Sequence, residues 1–252
     1  TIQENAFKGG TRLAEIDIKD TNSVLYYNSF DDTAFYNDSS NWVNGGLYAG
    51  NFLIRVSESW QGEFVFKDGT VTIANGAFAG CEKITGIRMA DSVAVYEAGV
   101  FAPCLSLKDL TIGKGVTNIR ATIYGVAGIE NLELYANVTQ LTSNDFSENT
   151  SIKNIVIGDG VKTIGANTFK ALSKLESVQI PESVTSIGNY AFYNCSSLKA
   201  VNLPSGLTEI STYLFYGCKS LEGVQIPETK QIEVLKPFMK RNRTFSLPDT
   251  RI

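Results

Sequence analysis

The sequence predicts a right-handed, β-rich α/β solenoid with repeats of about 23 residues and one inserted β-hairpin. Three observations carry the prediction. Cys81 and Cys104 lie 23 residues apart, and so do Cys195 and Cys218. Val178-Gln-Ile180-Pro181 returns one period later as Val201-Asn-Leu203-Pro204, and again as Val224-Gln-Ile226-Pro227. Aromatic residues crowd residues 26–60, the stretch in which the period fails.

At the N-terminus, Ile2, Ala6-Phe7, Leu13 and Ile16 read as the tail of one unit. Ile16, Ile18, Leu25 and Phe30 begin the next, which the insertion interrupts. Tyr48 and Phe52-Leu53-Ile54 flank Ala49-Gly50-Asn51, which reads as two strands around a tight turn, so the hairpin is assigned to about residues 39–62. Regular repeats fill residues 64–223. Their apolar slots run Phe64, Phe66, Ile73, Phe78 and Cys81 in the first unit. A unit shortened by one residue uses Leu110, Ile112, Val116, Ile119, Tyr124 and Ile129. The best-kept pattern is Ala191-Phe192-x-x-Cys195-x-x-Leu198, repeated as Leu214-Phe215-x-x-Cys218-x-x-Leu221. Residues 224–252 form a degenerate terminal repeat, as expected where one face lacks a neighbour. The whole chain, 1–252, is read as a single solenoid domain.

Within a unit, Leu175-x-x-Val178-x-Ile180 is a short strand stopped by Pro181, which has no ladder donor to offer. Val184-x-x-Ile187 is a second extended piece, and Gly188 accommodates the turn after it. The stretch from Ala191 to Leu198 is either irregular or one helical turn. One unit alone buries too little apolar surface to offset the entropy of ordering its backbone, so neighbours must stack into a continuous core.

These residues resemble the BspA-like, or Treponema pallidum-type, leucine-rich repeats. The motif that carries the resemblance is Ile180-Pro-x-x-Val184-Thr-x-Ile187-Gly188-x-x-Ala191-Phe192-x-x-Cys195-x-x-Leu198-x-x-Val201. It is specific over residues 155–227, looser upstream, and covers most of the chain. The interruption, from Phe30-Asp-Asp-Thr33 to Phe52-Leu53-Ile54, is similar to a hairpin inserted in many such arrays. The resemblance implies a bacterial, secreted or surface-anchored protein linked to adhesion, with no family-wide catalytic residues to carry over.

Composition narrows the function. The chain has 252 residues, 22 Lys+Arg against 26 Asp+Glu, and no histidine. Mild acidity argues against nucleic acid, whose phosphates need clustered Lys and Arg. Without histidine there is no Ser-His-Asp or Cys-His catalysis and no His-ligated metal. No apolar run reaches 18 residues, so no segment inserts in a membrane. The chain opens on Thr1 with no leader, which reads as a processed chain or an expressed fragment of an exported protein. No cofactor, metal or catalytic residue is assigned. Asp31-Asp32 and Glu130/Glu133 are the nearest carboxylate pairs, and both fit solvated loop or strand-face charge.

The candidate binding surface is aromatic: Trp42, Tyr48 and Trp60 in the insertion, and the ladder Tyr190, Tyr193, Tyr213 and Tyr216. Each has two readings, a platform for a partner protein or glycan, or packing that pins the insertion and covers the core. The four cysteines share one slot with Leu172, which wants a small apolar group, so free buried thiols are expected although stacked strands would also allow disulfides. The expected function is a non-catalytic, monomeric adhesion-type module that binds a host matrix or surface protein. The alternatives are a spacer that presents another domain and a glycan-binding module.

Overall fold

A computed structural model describes residues 1–225 of the chain, a β-solenoid of about eight turns at roughly 23-residue spacing. The degenerate repeat predicted beyond residue 225 lies outside the described residues. Two compact units are present, residues 1–129 and the chain from Glu130 onward.

The first unit opens with coils whose strands shrink to single bridges, Ile2 to Leu25 and Tyr26 to Asn75. A short helix α1 (Ala34–Asn37) follows, capped by the Thr33 hydroxyl, which accepts the Tyr36 N–H at 3.0 Å. The insertion is an antiparallel meander of β1 (Trp42–Val43), β2 (Gly46–Ala49) and β3 (Phe52–Val56). Gly50 and Asn51 form the turn between β2 and β3, where the sequence places it. The array resumes with β4 (Gly62–Val65), β5 (Thr72–Ile73), β6 (Ile84–Arg88) and β7 (Asp109–Ile112). β4, β6 and β7 pair in parallel as a principal sheet, while β5 pairs in parallel with β3. The last strand of the insertion is thus also a rung of the solenoid. Across the insertion, the Asn75 N–H donates to the Leu25 carbonyl at 2.7 Å, so the coils on either side still meet.

The shortened repeat departs from the expected slots. Helix α2 (Ile119–Ile123), capped by Asn118, winds this segment at helical spacing. That spacing turns Ile123 into the core and leaves Tyr124 50% exposed, so Ile123 fills the position expected of Tyr124. Phe7 is likewise mostly outside the core, stacked flat on buried Phe30 at 5.4 Å.

The second unit is more regular. β8 (Asn131–Leu134), β9 (Gln140–Leu141), β10 (Asn154–Ile157), β11 (Thr163–Ile164), β12 (Ser177–Gln179), β13 (Ser186–Ile187), β14 (Ala200–Asn202) and β15 (Gly223–Gln225) follow in order. β8, β10, β12, β14 and β15 make one parallel sheet, and β9, β11 and β13 a second. The register advances one repeat per strand: Asn131, Asn154, Ser177, Ala200 and Gly223 lie side by side. β12 ends before Pro181, as its missing donor requires.

The stretch read as irregular backbone or one helical turn is a run of hydrogen-bonded turns, and in the last three repeats these turns are laced to one another by backbone bonds. Asn167, Phe169 and Ala171 donate to the carbonyls of Asn189, Ala191 and Tyr193. Tyr190, Phe192 and Asn194 donate in the same way to Thr212, Leu214 and Tyr216. Inside this wall Phe146, Phe169, Phe192 and Phe215 form a column with centroids 5.1, 5.2 and 5.5 Å apart. Immediately before β8, β10, β12, β14 and β15, Glu130, Lys153, Glu176, Lys199 and Glu222 recur at the 23-residue period with alternating sign. Lys153 pairs with Glu130 at 2.7 Å and Lys199 with Glu176 at 2.5 Å.

Candidate functional site

The aromatic residues proposed from the sequence divide into two groups. Those of the insertion are tied into packing. Tyr48 is 4% exposed, and its hydroxyl accepts the Lys67 N–H at 3.1 Å. Burial pushes its phenol pKa up. The structure therefore moves Tyr48 from the expected surface into the core, because β2 is buried along its whole length between its neighbours. Trp42 is half-buried, its indole N–H donating to the Tyr36 carbonyl at 2.8 Å and its ring edge-on to Tyr36. Trp60 donates to the Glu63 carbonyl at 3.1 Å and stands edge-on to Phe64. Its ring lies so close over Gly45 that a Cβ there would come within 2.2 Å, so only glycine fits the turn beneath it. Beside these residues, Arg55 stacks on Tyr27 and pairs with Asp31 at 3.0 Å and Glu58 at 2.5 Å. That pairing gives Asp31 a structural partner, and Lys153 does the same for Glu130.

The second group forms a surface. Tyr190 stacks on Tyr213 at 5.3 Å, and Tyr193 on Tyr216 at 5.2 Å. Within each coil the pair stands edge to face, Tyr190–Tyr193 at 5.7 Å and Tyr213–Tyr216 at 5.6 Å. The four rings thus make a two-by-two tetrad over the Phe column. Tyr213 is 39% and Tyr216 53% exposed. The Lys170 ammonium lies 5.6 Å from the centroid of Tyr193, one repeat upstream of it.

Two of these tyrosines have an unusual backbone. Tyr190 and Tyr213 sit at φ 60° and 53°, where a bulky side chain is uncommon. Gly76, Gly99 and Asn167 occupy the equivalent position of other repeats, also at positive φ and at far lower cost. The period signalled the ladder and allowed the stacking as one of its two readings; the left-handed backbone could not be read from it.

The cysteines are free. Cys195 and Cys218 donate their thiols to the Phe169 and Phe192 carbonyls of the preceding coil, each at 3.0 Å. Burial pushes Cys81 and Cys218 up to about 11 and Cys104 to about 12, and raises Cys195 further. Such thiols pack rather than react. Among the described residues no cluster of three or more metal-ligating side chains occurs. No helix there is long and apolar enough to cross a membrane.

Comparison with known proteins agrees with this architecture. Among solved structures, a leucine-rich repeat protein from Eubacterium ventriosum is 23% identical with a TM-score of 0.50. The alignment covers 74% of this chain and 50% of that one, so this chain spans half the length of that relative. The Treponema pallidum leucine-rich repeat protein is 23% identical, covering 70% of this chain and 75% of its own, with a TM-score of 0.40. A leucine-rich cell surface protein from Faecalibacterium prausnitzii is 22% identical over 69% of each chain, with a TM-score of 0.28. A search of curated proteins finds no match. The BspA type leucine rich repeat region is matched in six copies, over residues 1–41, 59–176 and 162–241. With its coils, its Phe column and most of its length inside those matches, the chain belongs to the BspA-type leucine-rich repeat family.

Proposed function

We propose that this chain is a non-catalytic binding module of an exported, surface-displayed protein, and that it holds a protein partner through the tyrosine tetrad. The observation that carries this reading is the positive φ of Tyr190 and Tyr213. A bulky residue in that region costs on the order of 1–3 kcal/mol, where glycine or asparagine would relieve it. Keeping tyrosine there twice in succession favours a role for the rings beyond packing. Tyrosine suits such a role, since it offers large rigid area and a hydroxyl at small entropic cost.

The way the rings are used favours protein over glycan. Sugars dock on ring faces, and here the faces between coils are taken up by each other at 5.2–5.3 Å. That stacking leaves the edges and hydroxyls clear, and none of the four hydroxyls has a hydrogen-bond partner among the described residues. Trp42 and Trp60, with their indole N–H groups bonded to backbone, fit a packing role better than recognition. The partner we favour is a host matrix protein or another surface protein, and the role adhesion.

The test is attachment of the purified chain to immobilised matrix and cell-surface proteins. Replacing Tyr193 and Tyr216 with Ser should abolish attachment while the fold is retained. Trp60→Phe should lower thermal stability and leave attachment intact. Attachment that survives the tyrosine replacements would sink the proposal, and a chain that binds nothing in the panel would favour a spacer.

A further inference from the structure

The turns that carry the tetrad are also unusual in charge. Across residues 166–174, 189–197 and 212–220 there is no Asp or Glu, although the chain as a whole carries net charge −4. Lys170, Lys174 and Lys219 are on these turns, all exposed. The backbone ladder from Asn167–Ala171 through Tyr190–Asn194 to Tyr216 laces the three turns side by side, which puts Lys170 in line with Tyr193 and Tyr216, with Lys174 and Lys219 at the ends of their turns.

Lysines elsewhere in the same unit are treated differently. Lys153 and Lys199 are matched to Glu130 and Glu176, and Lys162 reaches the Asp159 carbonyl. Lys170, Lys174 and Lys219 have no carboxylate within ion-pair distance among the described residues. Lys170 instead lies over a ring, which lowers its need for water and keeps it near the platform. Three ammonium groups without an ion-pair carboxylate among the described residues make this face positive, and its phenol hydroxyls can donate to an incoming acceptor. Its complement is an acceptor-rich, negatively charged ligand.

The geometry points to an acidic peptide segment as the occupant of this face, its carboxylates held by Lys170, Lys174 and Lys219 and its apolar side chains laid against the exposed tyrosine edges. This rests on the protein-binding reading of the tetrad and names the chemistry of the partner. An acidic peptide fits better than a sulfated polysaccharide because the tetrad supplies apolar ring area between the charges, which a purely anionic chain would leave uncovered.

The test uses the full chain and four probes: an Asp/Glu-rich peptide with interspersed Leu and Phe, its Asn/Gln counterpart, a Lys-rich counterpart, and a sulfated polysaccharide. The acidic peptide should bind at least about tenfold more tightly than the neutral one, and weaken as salt rises. The triple variant Lys170→Gln, Lys174→Gln, Lys219→Gln should remove that preference while keeping the circular dichroism spectrum. Tyr216→Ser alone should weaken binding of the acidic peptide several-fold. If acidic and neutral peptides bind alike and only the tyrosine variant matters, the acidic assignment fails and the tetrad reading stands. If the polysaccharide binds more tightly than the peptide, through the lysines and without the tyrosines, both fail.

Discussion

The positive φ of Tyr213 can be tested against Tyr216, because the two share almost everything else. Both stack on a tyrosine one coil upstream, at 5.3 and 5.2 Å, and each stands edge-on to the other at 5.6 Å. Tyr213 sits at φ 53°, and Tyr216 is not among the residues at positive φ. Replacing either with Asn removes one stacking contact and one edge contact, about 0.5–1.5 kcal/mol each. Those losses are nearly equal and cancel in the comparison. Tyr213 is the less exposed, 39% against 53%, so its removal also forfeits somewhat more burial, about 0.5–0.9 kcal/mol for a ring of this size. Against that, Asn at Tyr213 relieves roughly 1–2 kcal/mol of left-handed backbone strain, as Asn167 does naturally two coils upstream. Strain is the larger effect. Tyr213→Asn should therefore destabilise less than Tyr216→Asn, by about 1 kcal/mol. In thermal melts the gap would be about 2–4 °C for a chain of this size. Urea unfolding at constant slope gives the free energies directly. Equal losses, or a larger loss for Tyr213→Asn, would refute the strain argument and with it the main support for the tetrad as a binding surface.

Other expectations are simpler. Phe169→Ala, which empties the middle of the Phe column, should cost about 3–5 kcal/mol in urea unfolding. A thiol reagent at about pH 8 should find all four cysteines slow to react in the folded chain, Cys218 the fastest because it is only half-buried, and all four should react after unfolding. Lysine hydrogen bonds hold Glu176 and Asp91 below the ordinary carboxylate range, so their stabilisation is complete above that range and fades as pH falls through their lowered values; low-salt melts should show this and high-salt melts much less. Glu176→Lys places a third cation between Lys153 and Lys199 and should lower the melting temperature in low salt, with the deficit shrinking as salt is added.

Much of the fold was legible because a repeat states its core positions many times. Phe169, Phe192 and Phe215 declare one slot, and Cys195 and Cys218 another. Where a slot was stated only once and the backbone changed type, the inference broke, as at Tyr124, which α2 turns outward in favour of Ile123. The insertion was harder still. Tyr48 and Tyr216 are the same residue type, yet one is sealed inside a meander and the other half in water, and no local pattern separates them. Backbone conformation was also out of reach: the tyrosine column was visible as a period, but nothing in the residue type suggests a left-handed Tyr190. The pairing of Glu130 with Lys153 is latent in the 23-residue period, which sets opposite charges on neighbouring coils, and it does not show in the local spacing of the carboxylates.

That column of charges has a consequence for how such a chain finds its register. Repeats this similar can stack on the wrong neighbour, looping out one coil while every apolar slot still meets an equivalent slot. At the joint itself, hydrophobic packing barely distinguishes the two arrangements. Glu130, Lys153, Glu176, Lys199 and Glu222 do, because alternation gives each coil a parity. Omit one coil and glutamate meets glutamate, or lysine meets lysine, at the joint where the coil was left out, whereas the native order alternates throughout. The pairs Lys153–Glu130 and Lys199–Glu176 thus matter less for the stability they add than for the wrong assemblies they penalise.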